Sequence, residues 1–294
     1  MRAVRLHELG GTPRVDEVDD VSGDGVIEVS SAGLNPVDVT IANGRFYGGT
    51  PSLPYVIGSE VVGALPGGRR VWWYSRGVMA ERVAFVSPEL AVDIPDGVDD
   101  GLALACGVAG LTGWLAVSWR APVAPEDTVL VLGASGCLGS TAVQGAKLLG
   151  AKRVIGAARR TERISDAADD VVRIDGSEVY PEATVIVDGL WGAPLQRALA
   201  AAGNGVRVVQ LGQSAGATST LESGWVRGKV ASILGHSLHA VPAEVRAASY
   251  RELAGHAREG RVRYEVETYG LDNLAEAWER QSSGSPGAKI VVSF

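Results

Sequence analysis

Cysteine is scarce in this sequence of 294 residues, which contains only Cys106 and Cys137. Two cysteines without paired spacing are too few for a disulfide framework or a structural zinc site. An excess of basic residues is also missing, because 27 Lys and Arg face 34 Asp and Glu and give a net charge of −7. Any basic character must therefore be local, and we expect neither a nucleic-acid nor a membrane partner.

We expect no apolar leader either. The first residues, MRAVRLHELGG, carry charges where a signal peptide needs an apolar core, which predicts a cytoplasmic protein. The uncharged run over residues 101–119 has the length of a membrane span. Its glycines lower helix propensity, and the chain has no second run of this kind. We therefore interpret it as a buried helix that links two domains.

A nucleotide-binding unit is the clearest feature that is present. Thr128 to Leu132 are β-branched or apolar without alternation, which predicts a buried parallel strand. A turn of small residues and a helix that ends at Gly150 follow at once. Small residues let backbone N–H groups approach a pyrophosphate at the helix N-terminus. The predicted cofactor contacts are Ala134, Ser135, Gly136, Cys137, Leu138 and Gly139; a plain strand–helix connection without ligand is the alternative.

The strand predicted over residues 153–157 indicates which dinucleotide binds. An NAD site expects Asp or Glu near its end to bond the ribose 2′-hydroxyl. Here Ala158 is followed by Arg159, Arg160 and Arg163. Guanidinium groups clamp a phosphate, whereas a carboxylate would repel it. The sequence predicts NADP(H) bound by these arginines, with a solvated basic face as the alternative.

The order of the elements predicts two domains. Short alternating strands, one of them over Glu81–Ser87, fill the first part of the chain, and alternating strands and helices follow from residue 104. We predict an α/β protein in which a Rossmann domain with a doubly wound parallel sheet (104–238) is inserted into a β-rich substrate domain (1–103 and 239–294). Little room for a helix remains between Arg163 and Asp175, which predicts a trimmed crossover. A surface turn is predicted over 282–287.

Four stretches together resemble the zinc-free quinone oxidoreductase group of the medium-chain dehydrogenase/reductase superfamily. They are Gly33-Leu34-Asn35-Pro36-Val37-Asp38, Leu53-Pro54-Tyr55 to Gly58-Ser59-Glu60, the glycine turn 133–139, and Gly287-Ala288-Lys289-Ile290-Val291-Val292. The resemblance spans nearly the whole chain and implies that the β-rich domain is GroES-like. The four motifs together identify the group, but they do not identify a substrate.

The resemblance also implies that zinc is absent. Zinc-dependent members place a Cys where this chain has Asn35, a His where it has Ser59, and a third ligand near Cys106. One thiol cannot replace the roughly three protein ligands of a catalytic zinc. We therefore expect NADPH-dependent hydride transfer to a quinone or an α,β-unsaturated carbonyl. The alternatives are a tailoring enoyl reductase of a larger secondary-metabolite or acyl intermediate and a non-catalytic NADPH-binding sensor or structural protein.

Site residues follow by position in the same resemblance. The catalytic candidates are Asn35, Asp38 and Tyr47, of which the first two also suit a helix cap and a first-turn acid. Thr112, Leu211 and Gly212 are expected beside the cofactor, although a helix hydroxyl and a packed strand end remain alternatives.

Two further expectations concern surfaces. Trp72, Trp73, Tyr74 and Trp225 are candidates for a wide aromatic pocket, with core packing as the alternative. The strand near residues 229–235 is a candidate sheet edge that pairs with a second copy and gives a homodimer.

Overall fold

The computed structural model describes residues 1–23, 25–84, 91–284 and 286–294. The strands are Arg2–Leu6 (β1), Arg14–Glu17 (β2), Val26–Leu34 (β3), Tyr55–Val56 (β4), Glu60–Ala64 (β5), Arg70–Tyr74 (β6), Arg82–Ala84 (β7), Val92–Asp93 (β8), Thr128–Leu132 (β9), Arg153–Ala158 (β10), Asp170–Arg173 (β11), Val185–Asp188 (β12), Arg207–Gln210 (β13), Ser232–Gly235 (β14), Val266–Gly270 (β15) and Lys289–Ser293 (β16). The α-helices are Pro36–Ala42 (α1), Asp100–Ala105 (α2), Leu111–Leu115 (α3), Cys137–Leu148 (α4), Gly192–Ala201 (α5), Ala243–Arg258 (α6) and Leu274–Ser282 (α7).

The chain divides into two compact units. The first contains residues 1–109 and 243–294, and the second contains residues 110–242. The predicted boundaries, at 103/104 and 238/239, lie a few residues earlier. The difference at the first boundary arises because α2 packs on β3, β5 and β16 of the first unit and carries the chain past residue 104 before the units divide.

The second unit is built on a parallel sheet with the order β11-β10-β9-β12-β13-β14. Counted within the unit, this is the order 3-2-1-4-5-6 of a Rossmann sheet, whose strand order reverses between β9 and β12. All of the strand pairs are parallel. Because helices cover a parallel sheet, its central strands are apolar along their length, as Val129 to Leu132 are. The predicted doubly wound sheet is confirmed.

The crossover between β10 and β11 is short, as predicted. It contains only a single turn of 3-10 helix, Thr161–Arg163, where an α-helix would usually cover the sheet. Ile164 fills part of that space, because a Cβ atom on Gly156 would lie 2.5 Å from its Cγ2. The buried carboxylate of Glu178 holds the next connection by accepting hydrogen bonds from Gly176 N (2.7 Å) and Arg197 Nε (2.9 Å).

The first unit is rich in strands, as predicted. Its larger sheet has the order β15-β16-β3-β5-β6-β8, with β7 also paired to β3, and β2-β1-β4 form a smaller sheet. The long strand β3 pairs with both β5 and β16, and a register shift between Val29 and Ser31 bends it. Strand β16 therefore brings the end of the chain beside residues 31–34.

The apolar segment Asp100–Arg120 is a buried helical segment that is kinked at Gly107, where the backbone is not helical. Among the described residues it is the segment long and apolar enough to cross a membrane, and 67% of its most apolar stretch is buried inside the fold. That burial is typical of a core helix and agrees with the prediction. Of the strand predicted over Glu81–Ser87, Arg82–Ala84 is observed and residues 85–87 lie outside the described ranges, as does residue 285 of the predicted turn.

Candidate functional site

The glycine turn lies at the carboxyl end of β9, as predicted. Gly133 has a φ of +89°, which favours glycine, and its N–H and that of Ala134 both donate to the Ala157 carbonyl of β10. Gly136 is extended and caps α4, which begins at Cys137. The first N–H groups of a helix lack partners within the helix, so this end of α4 is suited to an anion.

Two glycine contacts fix the position of α4. A Cβ atom on Gly139 would lie 2.2 Å from the Gly133 carbonyl oxygen, and one on Gly113 of α3 would lie 2.2 Å from the Leu138 carbonyl oxygen. Neither distance is possible for a real side chain. Gly139 therefore allows the helix to pack closely on its strand, as the last glycine of a dinucleotide fingerprint does.

The predicted arginines follow β10, the neighbour of β9 in the sheet. In the register of this pair Ala157 lies opposite Leu132, so the glycine turn and Arg159 leave the same edge of the sheet. Arg159, Arg160 and Arg163 are exposed. The structure thus brings the turn and these guanidinium groups to adjacent strand ends, and the residues fit a phosphorylated dinucleotide.

The other predicted cofactor residues belong to the same unit. Leu211 and Gly212 follow β13, and Leu211 N donates to the Asp188 carbonyl of β12 (2.8 Å). A Cβ atom on Gly212 would lie 2.6 Å from the Gly189 carbonyl oxygen, so a small residue is needed there. Thr112 lies on α3, which packs against α4.

Asp188 is a buried polar residue that sequence reasoning missed. It ends β12 opposite Leu132, and its Oδ1 accepts hydrogen bonds from Leu190 N and Trp191 N (both 2.9 Å), while Oδ2 has no partner. Burial raises its pKa to about 6, although those two N–H groups lower it. An Asp-Gly pair after an apolar strand was the available signal for this turn.

In the first unit, Asn35 and Asp38 lie together at the start of α1. Asn35 caps the helix, and its N–H donates to Asp38 Oδ2 (2.8 Å). Both side chains are buried, and Asp38 Oδ1 has no partner. Burial raises the pKa of Asp38 to about 7, although the Asn35 N–H, Lys289 and the Ser59 hydroxyl each lower it. The helix-capping alternatives are therefore realised, but they leave a carboxyl group that titrates near neutrality.

A buried network surrounds Asn35. Lys289 Nζ donates to Asn35 Oδ1 (2.8 Å) and forms an ion pair with Glu60. The Asn35 Nδ2 group donates to Glu60 Oε1 (2.9 Å) and to Ser59 Oγ (3.3 Å). The Asn35 amide is therefore engaged on both sides. We define Asn35, Asp38, Ser59, Glu60 and Lys289 as the buried polar network.

Glu60 is the centre of this network. Its Oε2 accepts hydrogen bonds from Trp72 Nε1 (2.8 Å) and from Val108 N (2.7 Å). The latter contact requires Gly107, where a Cβ atom would lie 2.0 Å from Glu60 Oε2, and where the backbone is not helical. Sequence reasoning missed Glu60 and Lys289 as site residues. A lysine inside an otherwise apolar closing strand was the available signal.

Zinc does not fit this site. Of the three positions where the resemblance puts zinc ligands, Asn35 carries an amide already bound to the Lys289 ammonium, Ser59 carries a hydroxyl, and only Cys106 offers a thiol. An ammonium on the amide oxygen would repel a second cation. Within the described ranges, no group of three or more His, Cys, Asp or Glu side chains is placed to hold a metal ion.

In the described part of the chain, Tyr47 forms no hydrogen bond to the buried polar network. It is 81% exposed, and its ring contacts Phe46 at a centroid distance of 4.4 Å. For Trp72 the core-packing alternative is realised, because this residue is buried in the core and stacks on Tyr250 (4.7 Å). Trp225 is partly buried and packs against the core of the second unit.

The chain matches known oxidoreductases over most of its length. A family model described as zinc-binding dehydrogenase matches residues 149–292. Human quinone oxidoreductase is 28% identical over 99% of this chain and 98% of its own length. The quinone oxidoreductase of Thermus thermophilus, solved also in complex with NADPH, is 25% identical, with a TM-score of 0.82 and 100% coverage of both chains.

The chain is a quinone oxidoreductase-like member of the medium-chain dehydrogenase/reductase superfamily. The resemblance stated from the sequence is confirmed. This superfamily member is also similar to part of a phenolphthiocerol/phthiocerol polyketide synthase from Mycobacterium tuberculosis, which is 28% identical over 99% of the chain. The chain spans only 14% of the length of that synthase polypeptide.

Proposed function

We propose that the chain is an NADPH-dependent oxidoreductase that reduces a quinone or an α,β-unsaturated carbonyl without zinc. The observation that carries this proposal is the glycine turn and the arginines at adjacent strand ends of a Rossmann sheet. The NADPH complex of the Thermus thermophilus relative supports the same cofactor. When bound, NADPH supplies the hydride.

The residues proposed to hold NADP(H) form three groups, each of which would contact a different part of the cofactor. The turn from Ala134 to Gly139 and the start of α4 would face the pyrophosphate, and Arg159, Arg160 and Arg163 would bind the 2′-phosphate. Thr112, Leu211 and Gly212 are proposed beside the nicotinamide half.

Titration with NADPH and NADH tests this assignment. Wild type is expected to bind NADPH at least tenfold more tightly, and the R159Q/R160Q variant is expected to lose that preference, since charged hydrogen bonds to phosphate are strong. R227Q, which removes an exposed arginine elsewhere in the same unit, is the control and should keep it. Tighter binding of NADH by wild type would refute the assignment.

Among the catalytic candidates, we propose Asp38 as the proton source and Asn35 as its positioning residue. A general acid works best when its pKa lies near the working pH, and burial raises the pKa of Asp38 to about 7. The reduced acceptor needs a proton on oxygen or on the α-carbon. Tyr47 remains the other candidate, and wild-type turnover in Y47F together with a loss in D38N would favour Asp38.

Reduction of a larger acyl intermediate is the second candidate function. The similarity to a segment of a polyketide synthase favours it. NADPH oxidation measured with a simple quinone, a simple enone and a bulky enoyl thioester separates the candidates. Turnover of the bulky thioester alone supports the second function, and NADPH binding without any turnover supports a sensor or structural role.

We further propose a cytoplasmic homodimer. Strand β14 ends the parallel sheet, and Ile233 and the preceding Val230 are 36% and 75% exposed. Unpaired edge strands are templates for pairing with another chain, and two-fold pairing would continue the sheet. Sedimentation velocity is expected to give the mass of two chains, and an I233K variant should give one. A monomeric wild type would contradict the dimer.

A further inference from the structure

A group of aromatic rings and guanidinium groups borders the buried polar network in the first unit. Strand β6 pairs with β5 so that Tyr74 lies opposite Glu60, and Ser75 N donates to the Ser59 carbonyl (3.2 Å). Tyr74 and the residues that follow it therefore lie beside Ser59 and Glu60 of the network. We define Phe46, Tyr47, Tyr74, Arg76 and Arg246 as the arginine–aromatic cluster.

Strand β6 and helix α6 bring Tyr74 and Arg246 together. The ring of Trp72 stacks on Tyr250 of α6 and also on Tyr74, two residues further along the strand, at 4.7 and 6.1 Å. Residues two apart share one face of a strand, and residues four apart share one face of a helix. Arg246 precedes Tyr250 by four residues, so both lie on the same face of α6, as Trp72 and Tyr74 lie on the same face of β6. Burial raises the pKa of Tyr74, and the charges of Arg246 and Arg76 offset part of that rise.

Arg76 is positioned by the loop after α1. Its Cζ atom lies 4.7 Å from the centroid of the Phe46 ring, a cation–π contact. Gly48 makes room for this pair, because a Cβ atom there would lie 2.5 Å from Phe46 Cε1 and 3.0 Å from Arg76 Nη2. Stacking over a ring leaves the in-plane N–H donors of a guanidinium uncovered by that ring. In the part of the chain that the structure describes, Arg76 forms no ion pair.

We propose that the arginine–aromatic cluster binds the carboxylate of a flat, conjugated acceptor. A carboxylate matches the paired N–H donors of Arg76, and Arg246 adds a second positive charge beside the same phenol. Exposed rings such as Tyr47 offer stacking surface to a conjugated carbon skeleton. This inference rests on the proposed reductase function and adds to it a substrate class, acidic enones or quinones.

A matched pair of substrates tests the proposal. The enone 4-(3-oxobut-1-enyl)benzoate carries a carboxylate, and its methyl ester does not. Wild type should favour the acid over the ester in kcat/KM by about tenfold, and R76Q should lose that factor, because a charged hydrogen bond to Arg76 is removed. R76K should recover part of it. The preference should also fall as salt increases, since the cluster is partly exposed.

The control variant is R45Q, which removes an exposed arginine from the same loop and should keep the wild-type ratio. An acid-to-ester ratio near one in wild type, or an unchanged ratio in R76Q, overturns the proposal. If neither compound is reduced by enzyme that binds NADPH, the proposed function fails instead. Calorimetric titration with the acid then decides the inference, because equal affinity of wild type and R76Q would overturn it.

Discussion

The ion pair of Lys289 and Glu60 permits a sharp test of the structure. Both side chains are at most 2% exposed, and they join β16 to β5 across 229 residues of sequence. The perturbation is K289M, which keeps the apolar stem of the side chain and removes the ammonium. Glu60 then keeps its donors from Asn35, Trp72 and Val108 but loses its counter-charge.

The expected cost follows from burial. Removing one partner of a buried pair typically costs about 3–5 kcal/mol, because an uncompensated charge stays inside. Because Glu60 keeps three hydrogen-bond donors, we expect K289M to lie near the lower end of this range, at about 3 kcal/mol. E60Q should cost about as much, since it leaves the ammonium with neutral acceptors. The double variant E60Q/K289M has neither charge, so it should cost at least about 1.5 kcal/mol less than the sum of the single variants.

Hydrogen exchange measured by mass spectrometry suits this cycle, because the two units of the chain can open separately. Peptides from β5 and β16 report the free energy of opening in the first unit. R82M is the control, because it breaks exposed ion pairs with Glu28 and Asp20 in the same unit and should cost less than about 1 kcal/mol. Costs that add within about 0.5 kcal/mol, or a K289M no worse than R82M, would refute the reasoning.

Three further predictions concern single positions. Burial raises the pKa of Asp38 from 3.8 to about 7, so between these pH values the native state binds a proton that the unfolded state has lost. The free energy of unfolding should therefore fall by roughly 4 kcal/mol between about pH 4 and pH 7. Denaturation measured as a function of pH should show a smaller fall in D38N, and the same fall in D38N and wild type would contradict this. G139A should weaken NADPH binding at least tenfold in a titration, whereas G224A, with open space around it, should not. G107A should lower the free energy of opening of the first unit, measured by hydrogen exchange, by about 1–3 kcal/mol, whereas G255A should leave it unchanged or raise it.

The second unit was largely predictable because its signals are local. Strand, small-residue turn and helix follow one another between Thr128 and Leu148, and a parallel strand buried on both faces has an unmistakably apolar sequence. The arginines after β10 follow from the same reasoning, since the next strand of such a unit lies beside the first. The boundary at residue 109 was not predictable, because the helical segment runs through it without a change in composition.

The buried polar network was only half predictable. Asn35 and Asp38 belong to one turn of helix, so their proximity follows from spacing. Lys289 is 254 residues from Asn35, and no local pattern connects an isolated lysine to an amide at that separation. The arginine–aromatic cluster was missed for the same reason, since Arg76 and Phe46 meet only through the packing of a loop on the end of a strand.

The trimmed crossover after β10 has a consequence for the energetics of cofactor capture. A single helical turn, held by the seat of Ile164 on Gly156, leaves few rotatable backbone bonds between the strand and Arg163. Fixing backbone torsions costs roughly 1–2 kcal/mol per residue, and a segment already fixed by folding does not meet that cost again when a ligand arrives. If the arginines bind the 2′-phosphate as proposed, the short connection therefore also lowers the entropy cost of that binding.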